Sequence, residues 1–211
     1  MNKFKIVISS EFGKYKTNIL RASQDICQKL VEIIEVQDFK ITIEAFTSDN
    51  PYLKISGGTD EGNEIWLKLN TKFSDFSKLI EVHLPGAITH EFHHLARKQL
   101  IKEWNLLELL VLEGLALQFE KEVLKKGVTP HTAEISDDEV KNYLIEIKRD
   151  LFDDDFDHKY WYNKTEKKVP QSFVYRFGFR IVEEYLLKHP KDDAVTLYKE
   201  PAISFLPEYL K

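Results

Sequence analysis

Five consecutive residues, His90-Glu91-Phe92-His93-His94, contain the spacing HExxH. On an α-helix, positions i and i+4 project from one face about one turn apart, so His90 and His94 offer two imidazole nitrogens to a single ion. Glu91 stands about a quarter turn round the helix, near enough to touch a water on that ion without entering its ligand set. The chemistry these types support is hydrolysis, with a metal to acidify water and a carboxylate to take its proton. His93, three residues from His90, is an alternative second ligand in another register. The i,i+4 geometry favours His94 and leaves His93 as a packing or supporting residue.

A catalytic zinc takes a third protein ligand and keeps one position for water. The stretch Val111-Leu112-Glu113-Gly114-Leu115-Ala116-Leu117-Gln118-Phe119-Glu120 offers one, because Glu113 stands among leucines where an unpaired carboxylate is expensive. The competing reading is a buried carboxylate paired with Arg97 or Arg180. Gly114 and Ala116 are small enough for this segment to approach a neighbour closely. Eighteen residues separate His94 from Glu113, enough to end one helix, turn and return antiparallel.

The elements that must carry these residues are legible in the hydrophobic pattern. Lys5 to Ser9 and Ile41 to Phe46 are β-branched runs, and Ile19, Ala22, Ile26, Leu30 and Ile33 recur between them at helical spacing. Gly57-Gly58 and Gly62-Asn63 punctuate the approach to a half-buried strand at Ile65 to Asn70, with Trp66 and Lys68 on its outer face. If that strand forms the sheet edge, Trp66 and Lys68 line a cleft to which an extended peptide adds; otherwise they face solvent.

After Pro85-Gly86 the pattern is helical. One helix covers about Gly86 to Gln99. A second starts at the Asn105/Glu108 capping pair and ends near Lys125-Lys126-Gly127. Ser136 and Glu139 open a third, with Val140, Tyr143, Leu144 and Ile147 on one face. A fourth runs from about Gln171 to Lys188, and a short one spans Asp193 to Pro201. The expected architecture is α+β in a single domain over 1–211: an α/β portion over 1–84, with a small mixed sheet whose edge strand lies near 65–70, then a mainly helical portion over 85–211 carrying the metal site.

HExxH, eighteen intervening residues and a Glu in an EGLA context resemble the gluzincin metallopeptidases. The fuller set resembles more closely a family of predicted zinc-dependent proteases, which carry HExHH, then EGLA with an acidic residue four positions further on, then a Tyr-x-x-Gly helix. Here these are His90 to His94, Glu113 to Glu120, and Tyr175-Arg176-Phe177-Gly178, within a resemblance spanning about Ile65 to Leu187. The resemblance implies a zincin-like fold, Zn2+ as cofactor, His90, His94 and Glu113 as ligands, and Glu91 as general base. It implies for Tyr175 a hydrogen bond to the developing oxyanion, against the rival reading of a core aromatic in line with Phe179, Val182 and Leu186. Where thermolysin-like enzymes carry an acidic residue one turn after the ligand Glu, this chain has Leu117, so support of the histidines falls to Glu120, Glu108, Glu103 or a backbone carbonyl. The strand signature by which aminopeptidases read a free amine has no match near Trp66. Arg176 and Arg180 are read as surface or ion-pair residues, with substrate contact as the alternative.

The remaining composition narrows the class. The 211 residues include 43% hydrophobic and 12% aromatic residues, enough for a buried core. Thirty Lys and Arg against 35 Asp and Glu leave a net charge of −5 without a basic block, which argues against nucleic acid as a partner. The lone Cys27 excludes an internal disulfide and fits a reducing compartment. No apolar run approaches the ~18 residues of a membrane span, and the opening residues have no sustained apolar stretch, so a cytoplasmic protein without a membrane partner is expected. Asp153 to Asp157 lacks the alternation and glycine of a calcium loop and reads as solvated. The leading expectation is a zinc metallopeptidase acting on peptides or proteins. The alternatives are a zincin-shaped regulatory or binding protein whose metal site is closed by His83 or His93, and a helical interaction module without metal.

Overall fold

The structure is a computed structural model that describes residues 3–50, 52–60, 62–125, 134–162, 169–170 and 172–211. The expected helix end at Lys126-Gly127 and the expected helix start at Gln171 lie outside these residues. Two compact units divide the chain, Met1–Gln99 and Leu100–Lys211.

In the first unit, β1 (Phe4–Ile8), β2 (Phe39–Phe46), β3 (Ile55–Asp60) and β4 (Glu64–Asn70) form one mixed sheet in the order β1-β2-β4-β3. The β1/β2 and β2/β4 pairs are parallel, and β3 runs antiparallel to β4. Phe39, Ile41 and Ile43 alternate on the buried face of β2, and Ile65, Leu67 and Leu69 do the same on β4. Between β1 and β2 runs α1 (Lys16–Ile33), which buries Ile19, Ser23, Ile26, Cys27 and Leu30. The Cys27 thiol is pushed up to about 12 by burial, as befits a packing residue.

The expectation of an edge strand at 65–70 is corrected here. Ile55–Asp60 pairs outside β4, so β3 is the edge and β4 is interior. Gly57 and Gly58 are strand residues rather than punctuation. Trp66 is paired with Gly58, and a Cβ at Gly58 would lie 2.6 Å from the indole ring. The outer face of this glycine is therefore covered by the tryptophan that the sequence left for substrate or solvent.

A short helix, α2 (Phe76–Lys78), capped by Asp75, leads through a π turn at Leu79–His83 into α3 (Leu84–Leu100). This helix carries HExxH. It begins at Leu84, two residues before Gly86, and the turn ahead of it uses i+5 hydrogen bonds that a 3.6-residue pattern does not register.

The second unit is helical: α4 (Leu106–Leu124), α5 (Asp137–Asn142), α6 (Leu144–Asp150), α7 (His158–Trp161), α8 (Phe173–Lys188) and α9 (Ala194–Leu197). Asn105 caps α4, its side chain accepting from the Glu108 amide at 2.9 Å. Every residue from Leu106 to Phe119 is buried, as expected of a helix that is apolar on all sides. Its main partner is α8, and the two meet backbone to backbone. A Cβ at Gly114 would lie 2.1 Å from the Gly178 carbonyl oxygen, and one at Gly178 would lie 2.2 Å from that of Leu110. Ser136 and Glu139 open α5 as expected, through a capping box, but the single third helix is two, broken at Tyr143 with φ −115° and ψ 9°. Among the described residues no helix is long and apolar enough to cross a membrane.

Candidate metal centre

His90 and His94 lie one turn apart on α3, their ring centroids 4.5 Å apart and their planes at 79°. Glu113 sits in the buried stretch of α4 and is 3% exposed. The ligand atoms of His90, His94 and Glu113 all lie within 4.8 Å of one another. Among the described residues this is a group of two imidazoles and one carboxylate, a donor set suited to zinc. Neither His83 nor His93 belongs to it. His83 instead meets the Lys54 ammonium, 3.2 Å from its Nε2, and packs edge-on to Phe73. His93 is fully buried in α3.

Glu91 follows His90 on the same helix. Its Oε2 is buried with no hydrogen-bond partner among the described residues. Leaving a carboxylate oxygen in that state is costly unless something binds there. Its other atoms rest against the backbone of β3, where a Cβ at Gly57 would meet Oε1 at 3.1 Å and Cγ at 3.3 Å. The glycine in the edge strand thus makes room for the Glu91 side chain. This unsatisfied oxygen, together with the donor set, fits a centre that holds a metal ion and a water.

Glu113 has a partner that the sequence did not disclose. The Tyr162 hydroxyl donates to Glu113 Oε1 at 2.5 Å. Tyr162 closes the short helix α7, whose N-cap Asp157 accepts from the amides of Lys159 and Tyr160. The aspartate run therefore includes a helix cap, the only signal by which this tyrosine's fixed position was readable. Tyr175 lies nearby on the first turn of α8, its ring centroid 6.0 Å from that of Tyr162. It is half-buried, while Phe173, Val174, Phe177 and Phe179 fill the core face.

The other candidates have different surroundings. Arg180 is held by Asp137 at 2.7 Å and Glu184 at 2.8 Å and stacks over the Tyr209 ring, which is the ion-pair reading; the pairing with Glu113 is not seen. Arg176 forks onto Glu139 with bonds of 2.8 and 3.0 Å. Glu120 is half-buried, two turns beyond Glu113, and no hydrogen bond or ion pair reaches it among the described residues. Glu103 is exposed ahead of α4, and Glu108 is buried in its first turn.

No curated protein and no solved structure gives a significant match to the chain. A family model described as predicted Zn-dependent protease (DUF2268) does match, over residues 21–207. That span includes HExxH, Glu113, Tyr162 and the α8 helix. By this match the chain belongs to the family of predicted Zn-dependent proteases.

Proposed function

We propose that this protein is a zinc-dependent metallopeptidase that hydrolyses peptide bonds, with His90, His94 and Glu113 as the protein ligands. The observation that carries the reading is the His-His-Glu group itself, with ligand atoms within 4.8 Å of one another and no fourth His, Cys, Asp or Glu in the group among the described residues. Three ligands and an open position are the pattern of catalytic rather than structural zinc. When bound there, zinc supplies a Lewis acid for the scissile carbonyl and lowers the pKa of its water towards ~7.

The protein's own groups do the rest. Glu91 accepts the proton of the attacking water through the buried Oε2 and returns it to the leaving amine, which prevents the amine from departing as an anion. Tyr175 donates its phenol hydrogen to the oxygen that gains charge as the carbonyl becomes tetrahedral. The β3 edge presents main-chain groups along the strand that touches Glu91, a template on which an extended peptide can add as another strand.

Metal analysis tests the ligand set. Purified protein should carry close to one zinc per chain, and His90→Ala, His94→Ala and Glu113→Ala should each lose most of it. Full zinc occupancy in a folded Glu113→Ala protein would remove that residue from the centre. A zinc-loaded wild type that cleaves nothing in a broad peptide library would favour a regulatory or binding role.

A further inference from the structure

We propose that Tyr162 is a positioning residue for the metal centre: its hydroxyl holds the Glu113 carboxylate so that one oxygen is engaged by the tyrosine and the other is offered to the ion. The inference rests on the reading of Glu113 as a zinc ligand. A carboxylate's terminal torsion is broad and roughly two-fold, so a buried glutamate needs an outside contact to fix the direction of its oxygens. The Tyr162 hydroxyl supplies that contact with a 2.5 Å bond to Oε1. A phenol near neutral pH can donate this hydrogen, whereas a second carboxylate would repel its partner.

Tyr162 is itself held from behind. The preceding Trp161 is 1% exposed, and its indole N–H donates to Asp150 Oδ2 at 2.8 Å. Asp150, 3% exposed, also accepts from Arg149 Nε at 2.5 Å and Nη2 at 2.9 Å. Asp157 fixes the other end of the same short helix. Arg149 and Trp161 therefore both donate to the buried Asp150, which anchors Trp161, the chain neighbour of the residue touching Glu113. Such support is more than a surface tyrosine requires, and it lies in a segment otherwise rich in exposed aspartates.

The effect on the metal follows. Engaging one oxygen favours ligation by a single oxygen of Glu113, which keeps a coordination position for water. Loss of an outer partner of a metal ligand typically weakens binding ~10- to 100-fold.

The experiment titrates the metal-free full chain with zinc against a chromophoric chelator. Wild type, Tyr162→Phe, Glu113→Ala and the double variant are compared, each checked for fold by circular dichroism. Tyr162→Phe should weaken zinc binding ~10- to 100-fold, and the double variant should bind no more weakly than Glu113→Ala, because the tyrosine acts through the glutamate. Cobalt(II) loading adds a signature of the ligand field: the visible spectrum of Tyr162→Phe should differ from that of wild type. Should the phenylalanine variant fail to fold, Tyr162→Leu takes its place. Equal zinc affinity in wild type and variant, or identical cobalt spectra, would overturn the proposal while leaving the ligand set intact. Equal affinity in wild type and Glu113→Ala would overturn both this proposal and the ligand assignment on which it rests.

Discussion

Gly57 of β3 and Glu91 of α3 are in contact: a Cβ placed on the glycine would stand 3.1 Å from Glu91 Oε1 and 2.6 Å from Leu67 Cδ2. The edge strand thus limits where the candidate base can lie, and the missing side chain at position 57 is what permits it. Gly57→Ala should displace both neighbours. We expect a loss of about 1–3 kcal/mol in stability from overpacking and a fall in kcat of ~10-fold or more from a misplaced base. Zinc content should not change, because Glu91 is not among the proposed ligands. Wild-type turnover in Gly57→Ala would show that this contact does not position Glu91.

Tyr175 is half-buried beside Tyr162 rather than within the core face of α8. A phenol that acts on developing negative charge contributes mainly in the transition state. Tyr175→Phe should therefore lower kcat by ~10²-fold or more and leave zinc content and thermal midpoint nearly unaltered. An unaltered kcat with a lowered midpoint would return Tyr175 to a packing role.

Glu139 links α5 to α8 through its fork with Arg176, and that guanidinium holds its carboxyl down at about 2 against an ordinary 4.5. A depressed carboxyl pKa contributes stability that is complete above 4.5 and is lost as pH falls through about 2. The difference in thermal midpoint between wild type and Glu139→Gln should be constant from neutral pH down to near 4.5 and shrink towards zero by about 2. A difference that persists undiminished at pH 2 would contradict this assignment. The carboxylate is partly exposed, so the effect should also weaken with added salt.

The sequence exposes the parts of this site whose chemistry depends on local spacing. HExxH needs only a helix to bring His90 and His94 together, Asn105 and Ser136 cap the helices they announce, and Glu113 stands out because a carboxylate among leucines needs a partner. Gly114 was readable as a point of close approach, which its contact with the Gly178 backbone bears out. What escaped depends on distant atoms. The glycines of β3 look like a turn because their faces are filled by Glu91 and Trp66 instead of by their own side chains. Tyr162 is one aromatic after an acidic run, and nothing in its neighbours marks the glutamate 49 positions earlier that it binds. The break at Tyr143 leaves the apolar pattern intact while changing the backbone.

Zinc content and peptide hydrolysis measured together on one sample of Glu91→Gln separate the base from the metal ligands. The amide keeps the shape of the side chain and leaves His90, His94 and Glu113 untouched, but it cannot accept the water's proton at neutral pH. A zinc metallopeptidase with Glu91 as its base predicts wild-type zinc content and hydrolysis reduced to background. Retained turnover on a peptide that the wild type cleaves, with zinc in place, would contradict the account.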